Sequence, residues 1–434
     1  MKNDSVLANK LVGKIPEDWS YINFKDIYGK PIRDFGSFST TKLITFLDDG
    51  IPFLKSEMIN EGSIDWTNTY YISPEVHSLL NKSYVEKDTI LFSKIGSALG
   101  KAVVYKGEKG VCNSNAAIAK IVLNERVADK YYYTYILNNS LAKRQFLRLI
   151  VSLLPRINLG DISDLILPLP PLPEQQKIAK ILSTWDKAIS TTERLVENST
   201  QQKKALMQQL LTGKKRLFDE SGKRFEGEWD EVTIDSTFKL ITDYVASGSF
   251  ASLKENVNVS DDEGYAHYVR QTDLAAKFKN KTLKWVNEDS YSYLKKSNLY
   301  EGDILFTNIG DLGKVFYMPK LEKPATVAPN LIVLRVNQKN NSKYIFYMLS
   351  SYVGQRQINR IKSGTGLPKI NKTEFKTMRF KIPRLEEQQK IATVLTNADK
   401  EIELLEQQLS DLQQEKKALM QVLLTGKVRV VVDG

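Results

Sequence analysis

Side chains that could carry catalysis or bind a metal are scarce in this chain. Its 434 residues include only two histidines, His77 and His267, and a single cysteine, Cys112. Structural zinc sites use four Cys or His ligands, and most catalytic zinc sites use two or more histidines. The composition therefore predicts neither a zinc cluster nor a mechanism that needs two histidines. Because Cys112 has no second cysteine to pair with, no internal disulfide can form, which is typical of a reducing cytoplasm.

One glycine-rich segment, GSALGK at Gly96–Lys101, resembles a phosphate-binding loop but lacks its spacing. That loop has four residues between its glycines and a Ser or Thr after the lysine. Here three residues separate the glycines and Ala102 follows the lysine, while the related segment Gly310–Lys314 has only two residues between its glycines. We expect both segments to be turns between strands. No carboxylate spacing marks a nuclease site, and the Asn/Asp-Pro-Pro-aromatic tetrapeptide of amino-group methyltransferases is absent, so the sequence favours a non-catalytic binding protein.

Composition suggests a basic protein of two to three domains. The net charge is +11, and its excess lies mainly outside the last 49 residues. Phosphate binding is one cause of such an excess, and an ordinary basic surface is another. Residues 1–16 lack the apolar core of a signal peptide, and no apolar run approaches the roughly 18 residues that span a bilayer. We therefore expect a cytoplasmic protein without membrane contact.

A block of sequence occurs twice in the chain and indicates which elements position the functional residues. Glu174–Lys214 and Glu387–Lys427 align without a gap, offset by 213 residues, and 23 of the 41 aligned positions are identical. Repeats of this kind dictate architecture. The chain is therefore predicted to contain two similar modules related by an internal pseudo-two-fold repeat.

Each copy of the block is predicted to be one long helix. Apolar residues recur at alternating spacings of four and three, which is the pattern of a coiled-coil seam, and Gly213 and Gly426 are well placed to end the helices. Lys203 and Lys416 are polar positions within the seams. Because each helix returns from a similar module, we expect the two to form an antiparallel coiled coil. The apolar seam positions are Ile178, Leu182, Trp185, Ile189, Leu206, Leu210, Ile391, Leu395, Ala398, Ile402, Leu405, Leu409, Leu419 and Leu423.

The segments that precede the two helices repeat more faintly. Asp88–Tyr105 resembles Asp303–Tyr317, and FLKSEMI at Phe53–Ile59 matches YVRQTDL at Tyr268–Leu274. These short runs are rich in Ile, Val, Phe and Tyr and are separated by Gly and Asn, which is typical of strands and turns. Each half is therefore predicted to be a mixed α/β (α+β) module followed by a long helix.

The doubled helix block carries a resemblance to a known family. LPLPPLPEQQKIAKIL at Leu167–Leu182 and KKALMQQLLTGK at Lys203–Lys214 resemble the conserved-region signature of DNA specificity subunits of type I restriction–modification systems. GDILFTNIG at Gly302–Gly310 and IKSGTGLPKIN at Ile361–Asn371 add matches in the second half. The resemblance covers essentially the whole chain.

This resemblance implies two target-recognition domains, residues 1–172 and 218–385, each followed by a conserved helical spacer, residues 173–217 and 386–427, with residues 428–434 as a tail. Each domain would read one half of a split, asymmetric DNA sequence, and the helix pair would set the number of unread bases. The subunit itself would be non-catalytic and hold no cofactor. Two modification (methyltransferase) subunits would supply S-adenosylmethionine for adenine methylation, and two restriction subunits would add translocation and cleavage driven by ATP and Mg.

DNA contacts are expected from polar and basic residues at equivalent places in the two domains. Phosphate contacts position a protein, whereas contacts to base edges specify sequence, and Arg can grip guanine with two hydrogen bonds where Lys acts as a point charge. The alignments pair Lys55 with Arg270, and Arg156 with Lys369. The candidate DNA-binding residues are Lys55, Ser56, Ser93, Lys94, Arg144, Arg148, Arg156, Arg270, Gln271, Thr307, Asn308, Lys362, Ser363, Thr365 and Lys369.

The flanks of the two helices are candidates for docking the methyltransferase subunits. The residues concerned are Gln175, Gln176, Lys203, Lys204, Gln208 and Gln209. Two other functions stay open at this point. One is a stand-alone DNA-processing enzyme, either a nuclease or a fused specificity–methyltransferase chain. The other is a coiled-coil scaffold that organises proteins without reading DNA.

Overall fold

The computed structural model describes residues 10–36, 42, 44–148, 155–279, 282–362 and 369–432. The chain forms two compact units: the first comprises residues 1–193 and 408–434, and the second comprises residues 194–407. Each unit therefore contains one module, the first half of one long helix and the second half of the other. Among the described residues, no helix is long and apolar enough to cross a membrane.

The module of the first unit is built from short strands and short helices. The strands are β1 (Ser20–Asn23), β2 (Tyr28–Arg33), β3 (Ile51–Leu54), β4 (Ile59–Asn60), β5 (Ser63–Ile64), β6 (Tyr70–Ile72), β7 (Tyr84–Val85), β8 (Ile90–Ser93), β9 (Ala102–Val104), β10 (Cys112–Ser114), β11 (Ile118–Leu123) and β12 (Ile166–Leu169). The helices are α1 (Pro74–Leu79), α2 (Lys130–Asn138), α3 (Ser140–Leu147) and α4 (Leu159–Ser163).

Two four-stranded sheets dominate this module, in the orders β2-β11-β8-β9 and β6-β3-β10-β7. The first sheet is antiparallel throughout, whereas β10 and β3 of the second pair in parallel. Side chains alternate across β8, as strand geometry requires. Ile90 and Phe92 join the large cluster that includes α2, and Leu91 joins a smaller cluster on the opposite face. β8 is thus buried on both faces.

The module of the second unit repeats this plan. Its described strands are β13 (Asp230–Thr233), β14 (Phe238–Asp243), β15 (Val259–Ser260), β16 (Ala266–Val269), β17 (Trp285–Val286), β18 (Asn298–Leu299), β19 (Ile304–Thr307), β20 (Val315–Tyr317), β21 (Ala325–Val327), β22 (Leu331–Val336) and β23 (Arg379–Ile382). The long helix α5 (Leu172–Leu210) follows the first module. The later helices are α6 (Phe250–Asn256), α7 (Gln271–Ala275), α8 (Glu288–Tyr293), α9 (Ser342–Ser350), α10 (Tyr352–Arg360), α11 (Lys372–Lys376) and the second long helix, α12 (Leu385–Leu423).

The sheets of the second module are β14-β22-β19-β20 and β15-β17-β16-β21-β18, with β16 and β21 in parallel. Ile304 and Phe306 of β19 face the large cluster and Leu305 faces the smaller one, as in β8. The predicted mixed α/β fold in two copies, each followed by a long helix, is confirmed.

The long helices α5 and α12 contain 39 residues each. In the first unit, Ile178 and Leu182 from the start of α5 share a buried cluster with Leu423 from the end of α12. In the second unit, Leu210 from the end of α5 shares one with Ile391 and Leu395 from the start of α12. Within each unit the two helical segments therefore run antiparallel. All the predicted apolar seam positions are buried or half-buried, and a continuous coiled coil along both helices stays a prediction.

Candidate nucleic-acid interface

Three predicted DNA-binding segments meet in the first unit. They follow β3 at Lys55-Ser56, follow β8 at Ser93–Gly96, and precede α4 at Arg156-Ile157. The Ile157 N–H donates to the Lys94 carbonyl oxygen at 2.9 Å, and Ile95 and Arg156 form an antiparallel bridge. The Ser56 hydroxyl oxygen lies 3.9 Å from where a Cβ on Gly96 would stand. Segments that lie far apart in the sequence thus come together at one place.

The equivalent segments of the second unit meet in the same way. The Ile370 N–H donates to the Asn308 carbonyl oxygen at 3.2 Å, and Ile309 bridges Lys369. The Gln271 amide donates to Asp311 Oδ2 at 3.5 Å, which joins the segment after β16 to the loop after β19. The two modules therefore build the same three-segment surface from different side chains.

Buried charge supports this surface in the first unit. The Lys94 side chain is only 3% exposed, and its ammonium lies 3.0 Å from Asp34 Oδ2. Burial acts against ionisation of Asp34, but the hydrogen bonds from Lys94 and from the Gly36 N–H, together with the positive charges of Lys94 and Lys120, outweigh it and lower the pKa of that carboxyl. Lys120 Nζ donates to the Asp34 carbonyl oxygen at 2.9 Å and to the Ser114 hydroxyl at 3.0 Å. Burial lowers the pKa of Lys120 to about 7.

The equivalent position of the second unit carries different side chains and different contacts. Asn308 replaces Lys94, and its Oδ1 atom is buried without a hydrogen-bond partner among the described residues. Asp243 is the last residue of the equivalent strand β14 and pairs with Lys372 at 2.8 Å. An unpaired buried acceptor is costly, so Asn308 has the means to accept a hydrogen bond from water or from a ligand.

The paired candidates Lys55 and Arg270 are engaged inside the protein. Lys55 Nζ lies 3.3 Å from the ring centroid of Tyr70. Arg270 makes two hydrogen bonds to the Asp273 carboxylate, at 3.0 and 2.7 Å, and these raise the pKa of Arg270. A contact between either side chain and a base edge therefore requires an exchange of partners. DNA contact by both residues stays a prediction.

The remaining candidates divide by burial. Ser93 and Thr307 are fully buried, and the Thr307 hydroxyl donates to the Asp311 carbonyl oxygen at 2.6 Å, so both serve to hold their loops. Ser363 and Thr365 lie outside the described residues. The exposed candidates, which stay predictions like the others, are Arg144, Arg148, Arg156, Lys362 and Lys369.

The expectation that Gln175 lies on an exposed helix flank is wrong. Gln175 is fully buried. Its amide donates to the carbonyl oxygens of Val127 and Pro170 at 3.0 and 2.9 Å, and its oxygen accepts from the Asp129 N–H at 2.8 Å. Gln388 makes equivalent bonds in the second unit. The first turn of each long helix is thus part of the module it follows, which the helical pattern alone could not reveal.

Arg–Glu pairs, which sequence reasoning missed, hold the helix ends in both units. Arg216 Nε and Nη2 donate to the two oxygens of Glu387 at 2.6 and 2.7 Å, and this raises the pKa of Arg216. Arg429 grips Glu174 in the same way at 2.7 and 2.9 Å, and Trp19 Nε1 donates to Glu174 at 3.0 Å. The signal was present in the sequence, since both arginines stand three residues after the glycine of Thr-Gly-Lys.

Comparisons with known proteins agree with this architecture. A family model described as "Type I restriction modification DNA specificity domain" matches residues 16–198 and 226–414. The putative type I restriction enzyme MjaX specificity subunit of Methanocaldococcus jannaschii is 29% identical over 433 residues, covering 96% of each chain. The type I restriction enzyme EcoKI specificity subunit of Escherichia coli is 24% identical over 393 residues, covering 87% of this chain and 82% of the relative.

Solved structures are similar in fold. The type I restriction–modification S subunit from M. genitalium matches with a TM-score of 0.57 at 16% identity, covering 96% of this chain and 98% of that one. A chain from a structural study of complex assembly and conformational transition of the type I R-M system matches with a TM-score of 0.54 at 13% identity. The match covers 96% of this chain and 100% of that one. Both solved chains cover 96% of this chain, so the fold described above has counterparts over nearly its full length.

Proposed function

Because this chain belongs to the family of type I restriction modification DNA specificity domains, we propose that it reads a two-part, asymmetric DNA sequence and presents it to adenine methyltransferase subunits. It is a non-catalytic DNA-recognition subunit of a type I restriction–modification system, and we assign the chemistry to the partner subunits. The finer points, namely the asymmetric target, the number of partners and their cofactors, are our proposal.

One observation carries the asymmetric target. The two units use the same three backbone segments to build their candidate DNA surfaces, yet the side chains at equivalent positions differ. In the alignment of the two copies, Lys55 corresponds to Arg270, Lys94 to Asn308, and Ser56 to Gln271. Because sequence is read by the donors and acceptors of side chains at base edges, equivalent segments with different side chains support two different half-sites.

The internal repeat also supports two copies of each partner. Lys204 of α5 and Lys417 of α12 are exposed at positions 213 residues apart, so each long helix offers an equivalent flank to a methyltransferase subunit. We place S-adenosylmethionine on those subunits, and ATP and Mg on two restriction subunits when they join. The complex would act on DNA in the cytoplasm.

The test is reconstitution of the full chain with its methyltransferase subunits, followed by single-molecule sequencing of modified adenines. The expected result is one motif made of two unlike halves separated by a fixed number of unread bases. A palindromic motif would contradict the asymmetric reading. S-adenosylmethionine bound to the isolated chain would instead indicate a fused methyltransferase. A complex that assembles but methylates without sequence preference would indicate a scaffold.

A further inference from the structure

A tyrosine, an aspartate and a lysine from three different elements meet in the first unit. Tyr135 lies on α2 of the module, Asp186 on α5, which follows that module, and Lys416 on α12. The Tyr135 hydroxyl donates to Asp186 Oδ2 at 2.5 Å. Lys416 Nζ donates to Asp186 Oδ1 at 2.5 Å and lies 5.5 Å from the Tyr135 ring centroid. One carboxylate thus joins the module to both helices.

The same cluster occurs in the second unit with the helices exchanged. The Tyr347 hydroxyl of α9 donates to Asp399 Oδ2 of α12 at 2.5 Å, and the Lys203 ammonium of α5 donates to Asp399 Oδ1. Lys203 Nζ lies 5.8 Å from the Tyr347 ring centroid. We call the two clusters Tyr–Asp–Lys clamps. Lys203 and Lys416 are two of the four polar positions that interrupt the predicted apolar seams, the others being Thr192 and Ser199. The clamps explain the two lysines.

The clamp groups are partly shielded and fully paired. The side chains of Lys416 and Asp186 are 20% and 40% exposed, and those of Lys203 and Asp399 are 24% and 40% exposed. Burial, and then the hydrogen bond to the carboxylate, raise the pKa of Tyr135 and of Tyr347 above the usual value. Each phenol therefore keeps its proton and its role as donor at neutral pH.

Such a cluster is better suited to fix position than to add stability. A half-buried ion pair gains little net free energy, because the cost of desolvation offsets the attraction. A polar group in an apolar seam nevertheless permits one alignment of the helices, since any other alignment leaves the group unpaired. Here the tyrosine extends that constraint from the helices to the module.

We propose that the two Tyr–Asp–Lys clamps position each module on the spacer helices and thereby restrict the number of unread base pairs between the half-sites. The proposal rests on the function proposed above. One added base pair moves a half-site by about 3.4 Å and rotates it by roughly 35°, since a turn of 10–10.5 base pairs advances 34–36 Å. A clamp that fixes a module to both helices at one point opposes a displacement of that size. Tyr135, Asp186 and Lys416, with their equivalents, are positioning residues in this scheme.

The test uses the full chain assembled with its methyltransferase subunits and DNA that carries both half-sites. Substrates have the wild-type spacer or a spacer one base pair shorter or longer. The spacer ratio is the methylation rate on the wild-type spacer divided by the rate on the altered spacer. We expect Tyr135→Phe and Lys416→Met each to lower that ratio by about fivefold, the middle of the range for coupled positions. Tyr347→Phe and Lys203→Met should act alike in the second unit.

Matched controls lie beside the clamp. Tyr131 stands one turn before Tyr135 on α2, and the exposed Lys187 follows Asp186 on α5, so Tyr131→Phe and Lys187→Met should leave the ratio unchanged. The double variant Asp186→Lys with Lys416→Asp restores an opposite-charge pair but removes the carboxylate that accepts from Tyr135, so it should recover only the part of the ratio that depends on the ion pair.

A thermal melt accompanies each assay. Variants that melt earlier yet keep the wild-type spacer ratio would show a merely structural role and overturn the proposal. A wild-type complex that methylates no two-part target would refute the proposed function itself, and the clamp proposal with it. If the wild-type complex methylates targets of one spacer length and every clamp variant keeps the wild-type spacer ratio, the clamp proposal alone is refuted.

Discussion

The Arg216–Glu387 pair offers the sharpest test of how the second unit holds together. Glu387 is a carboxylate with only 2% of its side chain exposed, and Arg216 supplies both of its hydrogen bonds from side chains. Arg216→Met would leave that charge buried without a partner, which costs about 3–5 kcal/mol. For a unit of roughly 200 residues, each kcal/mol lowers Tm by about 2–4 °C, so the second unit should melt roughly 6–20 °C earlier.

The equivalent pair of the first unit provides the comparison. Arg429→Met leaves Glu174 with its hydrogen bond from Trp19 Nε1 at 3.0 Å, so the loss should be smaller, about 1–3 kcal/mol for a charged group that keeps one partner. Adding Glu387→Gln to Arg216→Met removes the buried charge and should recover most of the stability. Calorimetry can follow both transitions. Equal losses from the two arginine variants, or no recovery in the double variant, would refute this reasoning.

Three further predictions concern buried groups of the modules. The Lys120 pKa of about 7 lies below that of the unfolded chain. The unfolded state therefore binds more protons between pH 7 and about 10, and stability should rise with pH. Lys120→Met should flatten that rise in urea titrations at pH 7 and 9. Burial raises the pKa of Cys112 to about 12, so a thiol reagent at pH 8 should label it only upon unfolding, and rapid native labelling would contradict this. Lys94→Met leaves the Asp34 carboxylate with its hydrogen bond from the Gly36 N–H and should destabilise the first unit by about 1–3 kcal/mol. Asn308→Ala removes an orphaned acceptor and should be neutral or stabilising in the same urea assay.

The helices and the duplicated plan were accessible from sequence because they are periodic. A seam of apolar residues at spacings of four and three is a local pattern, and it located α5 and α12 to within a few residues of their ends. The interruptions at Lys203 and Lys416 were visible as well. Their partners were not, because Asp399 and Asp186 stand 196 and 230 residues away. Only the folded chain shows that each defect is one member of a clamp.

The candidate DNA surface divides in the same way. Alignment of the two halves paired Lys94 with Asn308 and Arg156 with Lys369, and the structure brings those segments together in both units. Alignment could not show that Lys94 points at Asp34, since that residue follows a strand far away in sequence and lies outside the repeated runs. Burial is a property of the packed module. The solvent exposure of the candidate side chains was therefore the property that could be predicted least well from the sequence.

The exchange of roles between the two helices has a consequence for how such a chain can change. In the first unit α5 supplies the carboxylate of the clamp and α12 the lysine, while in the second unit α12 supplies the carboxylate and α5 the lysine. The Arg–Glu pairs follow the same exchange, since Glu174 and Glu387 begin the two helices. A substitution in either helix segment therefore alters a contact that depends on the other helix, which constrains both to keep their repeated residues. The segments after β3, β8, β16 and β19 belong to neither the clamps nor the Arg–Glu pairs. Their side chains differ between the modules, which is what two unlike half-sites held at one spacing require.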